Sequence, residues 1–271
     1  MLANSYPEYS RSALVKLFDM QKITMNNEPI RPGDKIKAGD SFLADISELQ
    51  KPAEDIDLPI IYEDESIIVI DKPAGIISHA RGRYWDEPSV ASFIRQKVSF
   101  EGQNERAGIV HRLDRATSGV IVCAKNTDAL SYLQKQFGNR KVEKKYTAII
   151  NGNINPAEAI INLPIARNPK KPQTMIIKSG GKASETAYRT VKNGNKYSLL
   201  ELSPKTGRTH QLRVHLNYLS KPIVGDLLYG GEPAERLFLH AHSLKLVIPS
   251  TGKQKIFEAK LPAIFNKKLT E

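Results

Sequence analysis

Nine consecutive residues, His111-Arg112-Leu113-Asp114-Arg115-Ala116-Thr117-Ser118-Gly119, gather cations, a carboxylate, two hydroxyls and a glycine. They stand directly ahead of the apolar run Val120-Ile121-Val122-Cys123-Ala124. A short, dense polar loop feeding a buried strand contributes little to a core. It is well suited to holding one acid in place, and Asp114 is that acid. Arg112 and Arg115 flank it and are expected to keep it ionised by charge pairing. Such a carboxylate can stabilise a developing positive charge, act as a nucleophile or take a proton. Residue types alone leave the choice among these roles open.

Other chemistries have weaker support. The six histidines are His79, His111, His210, His215, His240 and His242. His210 and His215 are five apart, and His240 and His242 would share one face of a strand. Zinc sites usually add Cys or carboxylate ligands at tighter spacing, so no metal is expected. The single cysteine, Cys123, lies inside an apolar run, where a thiol is ordinarily inert.

Three further segments accompany the polar loop in order. They are Asp71-Lys72-Pro73-Ala74-Gly75-Ile76 with His79 following, Glu143-Lys144-Lys145-Tyr146-Thr147-Ala148, and TGRTHQLRVHL over residues 206–216. The last is followed by Pro222-Ile223-Val224-Gly225-Asp226 and Tyr229-Gly230. Together with HRLDRATSG, these segments resemble the signature of the RluA-type pseudouridine synthases over about residues 57–265. The family's common His-Pro is His79-Ala80 here. The resemblance implies isomerisation of uridine in RNA without a cofactor, with Asp114 as the catalytic carboxylate. It also implies that Arg213 pairs with Asp114 and that Tyr146 meets the extruded base. His111 and Arg112 are expected to support Asp114 directly.

The elements that must position these residues are legible in outline. Strands are expected at 67–71, 119–125, 146–151, 174–177, 187–193, 197–203 and 239–246. Helices are expected at 89–98, 128–138 and 209–219. Strands and helices do not alternate regularly, which argues against a doubly wound parallel sheet. The expected class is α+β. The resemblance adds a mixed, mainly antiparallel bent sheet with flanking helices and a central cleft. Residues 51–59 read as an acidic, proline-containing linker to a catalytic domain at 60–271. Ahead of it, residues 10–22 have helical spacing behind a serine cap, and 23–29 and 33–40 look like short strands. Residues 1–50 resemble an S4-type RNA-binding module that lacks the usual opening helix.

Charge points to the partner. The chain of 271 residues carries a net +11. Residues 1–66 hold 7 Lys/Arg and 13 Asp/Glu, so the basic surplus lies wholly in the part with the motifs. A polyanion is the natural partner for that part. RNA contacts are expected from Arg81 and Arg83 with Tyr84 and Trp85, from Arg140 and Lys141, from Arg167, Lys170 and Lys171, and from Lys205 and Arg208. The S4-like front makes ribosomal RNA of the large subunit the preferred substrate, with transfer RNA as the alternative. A non-catalytic RNA-binding protein and a nucleoside hydrolase are the rival classes. No apolar stretch approaches the ~20 residues a membrane span needs. With no secretory signal and one cysteine, the default is a cytoplasmic monomer.

Overall fold

A computed structural model describes residues 2–51, 56–79, 87–99 and 108–271. The chain opens with α1 (Leu2–Ser5) and α2 (Arg11–Asp19), the second capped by Ser10, whose hydroxyl accepts from the Ala13 N–H at 3.2 Å. Then follow β1 (Ile23–Met25), β2 (Glu28–Pro29), β3 (Phe42–Ala44) and α3 (Ser47–Gln50). The three strands form a small sheet in the order β2-β1-β3. Asn26 and Asn27 both take positive φ, as the tight β1–β2 hairpin requires. Residues 33–40, expected as a strand, instead form two turns. Asp34 and Asp40 accept from the N–H groups of Arg31 and Lys37, and Gly33 and Gly39 take positive φ. Tyr9, Leu14, Leu17, Ile23 and Leu49 make a hydrophobic cluster belonging to these first residues.

The large sheet is built from β4 (Ile60–Glu63), β5 (Ile67–Lys72), β6 (Ser118–Ala124), β7 (Glu143–Asn151), β8 (Glu158–Asn162), β11 (Glu185–Asn193), β12 (Tyr197–Pro204), β13 (Leu239–Val247) and β14 (Gln254–Glu258). A separate ribbon pairs β9 (Ile165–Arg167) with β10 (Met175–Ile177). The helices between are α4 (Val90–Ile94), α5 (Thr127–Gly138), α6 (Gln211–Tyr218) and α7 (Ala263–Thr270). The order across the sheet is β4-β5-β6-β13-β7-β12-β11-β8, with β14 on the free stretch of β13. Neighbours are antiparallel except β6 and β13, which run parallel over two residue pairs. The result is the expected α+β class with a mainly antiparallel sheet.

Continuous apolar runs account for the middle of the sheet. Every residue of β6 is buried, as β5 nearly is, because helices or crossing strands cover both faces. One core packs α6 and α7 against β7 and β12. A second packs α5 and β14 against β5, β6 and β13, and a third packs α4 against β5 and β6. The end of the expected linker belongs to this third core, since Leu58 is buried there and the Pro59 carbonyl accepts from the Asp71 N–H. The helix expected at 89–98 is α4 with one 3-10 turn, Arg95–Lys97, added at its end.

Candidate active site

A cavity of about 560 Å³ opens over the middle strands of the large sheet. Its wall includes the loop before β6, Tyr146 on β7, the turn after β12, the start of α6, and Leu239 on β13. Asp114, Tyr146 and Arg213, far apart in the chain, meet there.

The loop that presents Asp114 is fastened from behind. Leu113 is buried, and its N–H and C=O both bond the Ser78 hydroxyl, at 3.0 and 2.9 Å. The fully buried Lys72 sends its ammonium to the carbonyls of Pro73, Ile76 and Arg115, at 2.8, 2.7 and 3.3 Å. Burial pulls that ammonium down to about 7, while the charge of Asp114 works the other way. Three carbonyl acceptors use all three N–H donors of the charged form. The Gly75 N–H also donates to the Arg115 carbonyl, and the Thr117 N–H to that of Asp114. The segment from Lys72 to Ser78 is therefore a brace for the Asp114 loop.

Gly119 closes the turn into β6 with φ +111°, and a Cβ there would lie 2.2 Å from the Ala241 carbonyl oxygen. Only glycine allows β13 to approach so closely.

Arg213 does more than pair with Asp114. Its Nε and Nη2 donate to the two oxygens of buried Asp226, each at 2.7 Å, while Nη1 reaches Asp114 Oδ2 at 3.4 Å. Burial works against the guanidinium charge, but Asp226 and Asp114 together hold its pKa above the ordinary value. Arg115, expected to pair with Asp114, turns away and makes a two-pronged contact with Glu87. Adjacency in sequence is not adjacency in space when a turn splays successive side chains.

Tyr146 joins two of the hydrophobic cores as a partly buried residue. Burial first, and the Asp114 charge second, push its phenol well up, so it is neutral near pH 7. His111 lines the cavity but works mainly from behind. Its Nε2 accepts from the Val122 N–H at 3.1 Å, its ring stacks on Phe137, and burial pushes its pKa down to about 3. Arg112 is exposed on the cavity rim.

The turn after β12 owes its shape to Gln211. Its side chain accepts from the Thr206 hydroxyl and the Arg208 N–H, and donates to the Glu185 carbonyl and the Thr186 hydroxyl. His215 bonds Thr186 and the Leu163 carbonyl. These two motif residues are ties between α6 and the sheet.

The expected RNA contacts divide. Arg140, Lys205 and Arg208 line the cavity together with Lys144. Lys141 is exposed just beside them. Arg167, Lys170 and Lys171 lie outside the lining, on β9 and the turn leading to β10. Arg81 and Arg83, with Tyr84 and Trp85, fall outside the described residues.

Asp226, His210, Tyr229 and Lys72 were not assigned roles from the sequence. All four lie inside the motif segments, the signal the sequence carries for them. Their partners are set by folding.

Residues 66–218 match the family model described as RNA pseudouridylate synthase. The ribosomal large subunit pseudouridine synthase D of Borreliella burgdorferi is 43% identical over 78% of this chain and 67% of its own length. The protein of the same name from Pseudomonas aeruginosa is 34% identical over 97% of this chain and 88% of its own. Among solved structures, human RNA pseudouridylate synthase domain containing 1 superposes with a TM-score of 0.62 at 29% identity, over 75% of this chain and 83% of that one. The matched stretch contains the Asp114 loop, Tyr146 and Arg213, which the fold brings to one cavity; the chain belongs to the RNA pseudouridylate synthase family and is an isomerase of RNA uridines.

Proposed function

We propose that the chain isomerises uridines in ribosomal RNA of the large subunit, with Asp114 as the reacting carboxylate. The observation that carries this reading is Asp114 in the cavity wall, its Oδ2 3.4 Å from Arg213, with a neutral phenol, Tyr146, in the same wall. Breaking the bond from N1 of uracil to C1′ of ribose builds positive charge on the sugar. An ionised Asp114 below that sugar stabilises the charge or bonds to it. The base then turns, C5 bonds to C1′ and displaces the carboxylate wherever that has bonded there, and C5 loses its proton while N1 takes one up. Tyr146 stacks on the base, and its hydroxyl stands ready to relay that proton. Arg213, 3.4 Å away, orients Asp114. The chemistry calls for no cofactor.

The preference for ribosomal RNA rests on the relatives named as ribosomal large subunit pseudouridine synthases and on an S4-like reading of residues 1–50, with 51–59 as linker and 60–271 as catalytic domain. Arg140, Lys141, Lys205 and Arg208 contact phosphates at the cavity mouth, and Arg167, Lys170 and Lys171 do so from the β9–β10 ribbon. A cytoplasmic monomer fits this role.

Tritium release from C5-labelled uridine tests the reading, with bulk ribosomal and transfer RNA compared for wild type and Asp114→Asn. Release from ribosomal RNA by wild type only is the expected result. Release confined to transfer RNA would move the substrate. Equal release by both proteins would remove Asp114 from the chemistry.

A further inference from the structure

Two polar side chains beside Asp114 have no part in the reading above. His210, the residue before α6, takes a left-handed backbone conformation at φ 55°. A residue other than glycine persists there only where its surroundings hold it. Its ring lines the cavity between two partners. Nδ1 lies 2.8 Å from the Tyr229 hydroxyl, and Nε2 lies 3.9 Å from Asp114 Oδ2.

The hydrogen bonding accommodates the tautomer with the proton on Nε2. The Tyr229 oxygen accepts from the Met175 N–H at 2.8 Å. Its own proton can then go to His210 Nδ1, which leaves the ring proton on Nε2, facing Asp114. The charge of Asp114 favours the same tautomer. Burial, above all, holds the pKa of His210 below its ordinary value, against the pull of Asp114 and Asp226 and together with the push of Arg213 and Arg112. The ring is thus a neutral donor, able to orient a carboxylate without cancelling the charge the sugar needs. The Tyr229 ring meets His210 edge-on and lies under the Arg213 guanidinium, 5.0 Å from its centroid. One tyrosine therefore braces two of the groups that face Asp114. Both of them address the same oxygen, Oδ2.

We propose that His210, braced by Tyr229, donates an Nε2–H hydrogen bond to Asp114 Oδ2 when uridine is bound, and so presents Oδ1 to the sugar. The present 3.9 Å is longer than a hydrogen bond, and such contacts in active sites tighten on substrate binding. His210 and Tyr229 are positioning residues in this scheme. The inference rests on Asp114 as the reacting carboxylate.

The test uses the full chain and single-turnover tritium release from ribosomal RNA across a range of protein concentrations. The proteins compared are wild type, His210→Ala, His210→Gln, Tyr229→Phe and Asp114→Asn. A glutamine amide reaches about as far as Nε2 and also donates. His210→Ala should lower the maximal rate about tenfold to a hundredfold, with half-saturation unchanged within about twofold, as loss of one hydrogen bond to a charged group predicts. His210→Gln should restore most of that rate, and Tyr229→Phe should fall between. A wild-type maximal rate in His210→Ala overturns the proposal, as does His210→Gln being no faster than His210→Ala. If His210→Ala does not fold, Tyr229→Phe at the wild-type rate overturns it equally. Release by Asp114→Asn would instead sink the underlying reading, whatever the His210 variants do.

Discussion

Arg213 carries one charge between two carboxylates, and its shorter contacts belong to Asp226. The pair is buried and two-pronged, the geometry in which a carboxylate fixes a guanidinium most firmly. Asp226 thereby sets where Arg213 stands, and Arg213 touches Asp114 with the nitrogen left over. Asp226→Ala leaves that charge buried beside one distant partner. It should cost about 3–5 kcal/mol by chemical denaturation. A loss under about 1 kcal/mol, the worth of an exposed pair, would mean that Asp226 does not hold the arginine. The dense polar loop points to Asp114 in the sequence, and the family resemblance adds Tyr146 and Arg213 as candidates. Asp226 could not be picked out, because a single acid gains its meaning from the guanidinium the fold sets against it. Arg115 shows the converse, standing next to Asp114 in the chain and pairing with Glu87 in space.

At the level of elements, the seam between β6 and β13 deserves the closest test. These two strands run parallel for two residue pairs, with Gly119 opposite Ala241. Beside it, Ser118 bonds His240 at 2.8 Å and accepts from Arg236 at 2.7 Å. Gly119→Ala combines a positive φ with a Cβ inside the Ala241 carbonyl, so β6 or β13 must move. The variant should lose at least ~2 kcal/mol in a denaturant titration and should lose activity, since Asp114 lies just upstream. Wild-type stability would show that the seam can open without penalty. The apolar runs of β5 (67–70) and β6 (120–124) are legible in the sequence because burial on both faces calls for consecutive apolar residues. β4, β8, β9 and β14 escaped notice. They are short and half-exposed, so too few apolar residues alternate along them to stand out, although β4, β9 and β14 pair with the strand next to them in the chain.

Across the whole molecule, part of the basic surplus lies on the cavity rim and part on the β9–β10 ribbon. Arg140, Lys205 and Arg208 surround the mouth, while Lys170 and Lys171 ride the β9–β10 turn. The ribbon is not loose, because Met175 and Ile177 pack with Val214 and Tyr229 beside the cavity. If its lysines meet phosphates, RNA binding should weaken steeply with salt. Lys170→Ala with Lys171→Ala should reduce the slope of log affinity against log salt by about 1.4–1.8, for two contacts at roughly 0.7–0.9 each. An unchanged slope would remove the ribbon from the RNA-binding surface. The sequence by itself determined the fold class, the family and the residues able to do chemistry, because motif order, apolar runs and charge are written locally. Only the tertiary structure decided the pairings: Arg213 with Asp226, Lys72 with the Asp114 loop, and His210 between Tyr229 and Asp114. Each joins groups that become neighbours when loops and α6 pack onto the sheet. A buried charge or hydroxyl is satisfied by whatever the fold brings within about 3 Å.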